Sequence, residues 1–162
     1  VWKEAHDFFG YVLSFIYVGI YWNNHHHLFQ MENGINGRIM WANLNLLFWL
    51  TMIPITTTWA GKSGLLALPT ALYAGVLFMC ALSYWILERV IIASEGGHSV
   101  LASTLGKDLK GKISLPVYAL AIVVSFYSTV AAFSIFTAMA ALWFLPDSRI
   151  EKYLAQQDGK QP

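Results

Sequence analysis

The stretch Ile20-Tyr21-Trp22-Asn23-Asn24-His25-His26-His27-Leu28-Phe29 decides how the rest of the chain is read. It sets a Trp, two Asn and three consecutive His at the end of an uncharged apolar run that begins near Phe8. A polar group left without a partner in hydrocarbon costs several kcal/mol, so these side chains must meet one another or face water. The next apolar run opens on a second polar patch, Trp41-Ala42-Asn43-Leu44-Asn45. Between the two lies Gln30-Met31-Glu32-Asn33-Gly34-Ile35-Asn36-Gly37, whose Gly and Asn residues mark a turn. Two helices joined by a short turn bring both patches to one depth, which predicts a hydrogen-bond network between them.

The composition agrees with a membrane setting. Of 162 residues, 57% are hydrophobic, 15% aromatic and only 12% charged. Uncharged segments of about 20 residues are what a bilayer-spanning helix requires. The formal net charge of +1 gives no footprint for nucleic acid. The single Cys80 lies in an apolar run, which leaves no disulfide framework and no Cys-based metal site within one chain. The expectation is an all-α integral membrane bundle, one transmembrane domain over 1–162.

Five helices are predicted, over about 8–29, 38–60, 68–93, 113–126 and 128–145, with a polar tail over 146–162. Pro54 lies inside the second, where it removes a backbone hydrogen bond; Thr51 and Thr56 to Thr58 stand close enough to satisfy freed groups. The uncharged run from Leu115 to Leu145 is too long for one span, and Ser125-Phe126-Tyr127-Ser128-Thr129 in its middle predicts a break into two helices. Lys and Arg gather in the 94–112 loop and in the tail, with Arg38 ending the first loop. The positive-inside rule then places those segments, and the C-terminus, in the cytosol. A cytosolic N-terminus requires one more helix, and since the chain opens on Val1 within mixed charge, a sixth helix is expected upstream.

Consecutive His on a helix fan out by about 100° each, so His25, His26 and His27 cannot all bind one ion. Around this cluster neither His-x-x-x-His nor Glu-x-x-His occurs, and no metal is expected. One His could ligate haem or a chlorophyll, or titrate as a pH sensor near an interface. The plainer reading is structural: Asn24, one or two of His25, His26 and His27, Trp41 and Asn45 hydrogen-bond across the first two helices. Glu88 and Arg89 are adjacent and diverge by about 100°, which predicts that both snorkel to the interface. The Trp residues fall mostly at span ends, as ordinary interfacial belting. No nucleophile elbow, phosphate loop or carboxylate pair is present, so no catalytic residue is assigned and the chain is read as not an enzyme.

The segments GIYWNNHHHLF and WANLNLLFWLTMIPITTTWAG, with the closing LWFLPDSRIEK, resemble prokaryotic members of the transmembrane protein 175 family of potassium channels. The resemblance runs from about Tyr11 to Lys152. It implies a six-helix subunit with both termini cytosolic, assembled as a homotetramer around a potassium pathway in a prokaryotic inner membrane, without a cofactor. It also implies that Asn24, His25, His26, Trp41 and Asn45 belong to a network bracing the pore helix. The family's first helix carries an Arg followed by a Phe-Ser-Asp motif and the apolar residues that line the pore, and neither occurs in this sequence. Either that helix precedes Val1, or the chain is a non-conducting subunit of a larger membrane complex, with haem or chlorophyll on a His as one form of that alternative.

Overall fold

The computed structural model describes residues 2–30, 34–94 and 109–144, with side chains for 11–30, 34–94 and 111–144. Among these the fold is five helices and no strand: α1 Trp2–Gln30, α2 Gly37–Lys62, α3 Ala67–Ser94, α4 Leu109–Ser125 and α5 Thr129–Phe144. The predicted tail over 146–162 and most of the 94–112 loop lie outside the described residues. Helices α1 and α4 begin earlier than the apolar pattern suggests, at Trp2 and Leu109. Hydropathy marks the stretch that can sit in lipid, whereas Lys, Glu and Leu all continue a helix well outside it.

Local chemistry sets the joints. Asn36 caps α2, its side-chain oxygen accepting from the amides of Arg38 at 3.0 Å and Ile39 at 3.1 Å. At the other end, Gly64 (φ 70) and Leu65 (φ 61) turn the chain through left-handed backbone, and the Leu65 amide returns to the Ala60 carbonyl. Glycine adopts that conformation freely; a branched leucine there is strained. The break between α4 and α5 falls at Phe126–Ser128, as the sequence predicts. There the amides of Phe126, Tyr127 and Ser128 donate back to Val123 and Val124, and Ser128 Oγ accepts from Ala131 to start α5.

Pro54 sits inside α2 without ending it. The Thr hydroxyls around it do bond backwards, but not to Leu50, the residue whose carbonyl loses its donor. Thr51 donates to Phe48, Thr56 to Met52 and Ile53, and Thr57 to Ile53. Sequence spacing identified the right helix turn and the wrong acceptor.

Packing explains the arrangement. Helix α3 is central, flanked by α2 and α4, with α1 crossing α2 and α5 packed on α4. Half of α3 is buried, including Tyr73, Leu77, Cys80, Leu87 and Ile91 at 0% exposure. In α2 the buried residues form one stripe, Ile39, Ala42, Leu46, Leu50, Ile53, Thr57 and Ala60. Its other faces expose Met40, Trp41, Leu44, Phe48, Ile55 and Trp59. Helices α2 and α3 are the two, among the described residues, long and apolar enough to cross a membrane. Only 22% of the most apolar part of α2 is buried inside the protein, which is not the pattern of a soluble core helix.

Candidate functional site

Because α1, α3 and α5 run one way and α2 and α4 the other, the C-terminal end of α1 lies beside the start of α2, the end of α3 and the end of α5. The polar residues of all these ends gather there. His25 and Asn43 meet across α1 and α2 at 2.6 Å. Asn45 donates from α2 to Ser83 of α3 at 2.8 Å, and Ser83 is only 1% exposed. Tyr84 of α3 reaches the Asn24 carbonyl at 3.3 Å, while its ring makes edge contacts with Tyr21 and Trp143. Trp143 of α5 closes the set by donating to Ser114 of α4 at 2.9 Å. One polar layer therefore ties α1 to α2, α2 to α3, α3 back to α1 and α5 to α4, with the Tyr84–Trp143 ring contact joining the two groups.

The expected network over α1 and α2 is realised only in part. His25 does bridge to α2, but its partner is Asn43. Asn45 turns to α3 rather than α1. The Asn24 amide donates to the Ile20 carbonyl of its own helix at 2.8 Å. His26 is exposed, stacks flat on Trp22 at 5.4 Å and bonds Gln30, again within α1. His27 meets the ring edge of His26. Trp41 is 76% exposed. The reason is angular: Asn43 lies on the side of α2 facing α1, and Asn45, about 200° further round, lies on the side facing α3.

Several members of the layer left little trace in the sequence. Asn43 was visible inside the Trp41–Asn45 patch, but spacing did not rank it above its neighbours. Ser83, Tyr84 and Ser114 are single hydroxyls in apolar runs, with no signal to mark them. Glu88 corrects the snorkelling expectation: it is 6% exposed, on the buried side of α3. Arg89 is exposed, with its guanidinium carbon 5.3 Å from the centre of the Trp85 ring. Among the described residues no three His, Cys, Asp or Glu side chains converge in a way that could hold a metal ion.

Beside this layer a groove of about 500 Å³ opens between α1 and α5. It is lined mainly by Phe15, Ile16, Gly19, Asn23, Trp143 and Phe144. A side chain added at Gly19 would meet nothing within 4 Å, so the groove can take a close-packed element.

Comparison with known proteins places these features. The family described as endosomal/lysosomal potassium channel TMEM175 matches residues 1–54, which hold α1, the polar patches and most of α2. A protein of Chryseobacterium sp. (strain P1-3) named as a potassium channel is 48% identical over 149 residues, covering 92% of this chain and 78% of that protein. No solved structure matches.

Proposed function

The chain belongs to the TMEM175 potassium-channel family, and on that premise we propose that it is one subunit of a homotetrameric, potassium-permeable channel. It is an integral membrane protein of an ion-channel family, not of an enzyme family. The observation that carries the proposal is the 48% identity over 92% of the chain to a protein named as a potassium channel. In this reading the whole of 1–162 is one transmembrane domain of five spans. The C-terminus is cytosolic and the membrane is a prokaryotic inner membrane. Ions move passively down their gradient.

The polar layer then has a mechanical role. A pore keeps its bore only if the helices around it hold their spacing, and hydrogen bonds between helices specify depth and rotation as apolar contacts cannot. His25 fixes α1 on α2, and Asn45 fixes α2 on α3. Asn24, His26, His27 and Trp41 are the part of the layer that a pore helix or a neighbouring subunit would complete. The wide exposure of Trp41 and the groove at Gly19 support that assignment.

The test is potassium flux through the purified natural protein in liposomes. Flux driven by a potassium gradient, unchanged by added zinc or by chelators, is the expected result. No flux, together with a haem or chlorin absorption band on the protein, would replace the channel with the auxiliary-subunit reading.

A further inference from the structure

Helices α2 and α3, packed side by side, each expose an arginine whose placement nothing in the polar layer explains. The Asn45–Ser83 hydrogen bond fixes the register of these antiparallel helices. Arg38 lies seven residues before Asn45 and Arg89 six residues after Ser83, so at about 1.5 Å per residue they stand within roughly 2 Å of the same depth. Both are exposed. Each has a tryptophan about one turn nearer the middle of the bundle: Trp41 on α2, 76% exposed, and Trp85 on α3, 36% exposed. The arrangement is thus duplicated on two helices, with Ile86 and Phe48 as exposed apolar surface around and below.

We infer that this arrangement binds the headgroups of anionic phospholipids. A cation outside a tryptophan, at the end of an apolar helix, matches the cross-section of a phospholipid. The phosphate sits at the guanidinium, the glycerol region beside the indole, and the acyl chains on the apolar surface deeper in. Arg89 is held over the Trp85 ring at 5.3 Å, which orients the charge and leaves its N–H groups free for phosphate oxygens. Among the described side chains nothing on this surface compensates the charge. Glu88 is the one carboxylate among the described side chains, and it is turned inward at 6% exposure. The complementary partner is therefore an anion that also brings a hydrocarbon tail.

The experiment compares retention of phosphatidylglycerol and phosphatidylcholine by the purified full chain, using native mass spectrometry from mixed micelles. The natural protein should keep phosphatidylglycerol preferentially. The pair Arg38→Gln and Arg89→Gln should remove the preference, on the order of fivefold for each arginine. Arg89→Lys should keep part of it, and Lys62→Gln, at the opposite end of α2, should leave it intact. Thermal unfolding of each variant establishes that the fold is unchanged. Equal retention of the two lipids by the natural protein, or an undiminished preference in the double variant, overturns the inference. So does an equal loss from Lys62→Gln, because the effect would then be general charge. Lipid retention is read without ion flux, so it fails or stands separately from the channel proposal.

Discussion

Two regions of the bundle hold it together by different means. Midway along the helices the contacts are aromatic. Tyr17 of α1 makes an edge contact with Tyr73 of α3, and Tyr73 another with Phe136 of α5, centroids 6.4 and 5.0 Å apart. The Tyr17 hydroxyl donates to the Phe136 carbonyl at 2.5 Å. Tyr17, Tyr73, Tyr118 and Phe136 are all at most 2% exposed. At the polar end the contacts are single hydrogen bonds, several of them between a more exposed side chain and a buried one such as Ser83 or Ser114. The first region is held by area and shape, and small rotations of a helix cost it little until atoms collide. The second contributes less energy but tolerates only one register, since a hydrogen bond weakens steeply with angle and distance. Affinity between helices and their alignment are thus separated in space.

The comparison can be broken by substitution, with thermal unfolding in detergent as the readout. Phe136→Ala should have the largest effect, on the order of 3 kcal/mol. It opens a cavity under two aromatic rings, and detergent cannot fill it. If Phe136→Ala costs no more than the polar variants, the aromatic region is not the main source of stability. Asn45→Leu comes next, at about 1 kcal/mol, and Ser83→Ala added to it should cost little more, because the shared bond is already gone. Additive losses would mean the two residues do not act as a pair. His25→Phe should cost about the same or slightly less, since the ring contact with Phe29 survives. His26→Ala should stay within about 0.5 kcal/mol, because its partners Trp22 and Gln30 belong to its own exposed helix face. A large loss there in the assembled oligomer, and none in the monomer, would place His26 at a subunit contact.

The difference between the regions also explains what could be read from residues alone. Helix positions were legible because lipid-compatible runs end where Gly, Asn, Ser and Pro end them. The split at Phe126–Ser128 and the cap at Asn36 follow from local rules. The level of the polar layer was legible too, from two patches flanking one turn. Its wiring was not. Whether Asn43 or Asn45 meets α1 depends on the rotation of α2, and that rotation is set by burial of Ile39, Leu46 and Ile53 against helices far away in sequence. The inward position of Glu88 escaped for the same reason, since adjacent residues on a helix point about 100° apart and only packing says which one is covered.

The α4–α5 turn carries a consequence for the bilayer itself. In the five-span arrangement proposed above, Tyr84, Trp143 and Ser114 share one level through their contacts. From that level α3 runs 17 residues back to Ala67, roughly 25 Å, whereas α4 runs 12 residues to Phe126, roughly 18 Å. One flank of the subunit is therefore shorter than the other by about 7 Å. The turn can lie that deep because its three amides are satisfied internally, and its exposed Phe126 and Tyr127 suit the headgroup boundary. Lipid next to this flank has to thin or the subunit has to lean, at a cost of fractions of a kcal/mol per ångström. Membrane thickness, set by acyl-chain length and composition, thus becomes a mechanical variable acting on this protein from one side.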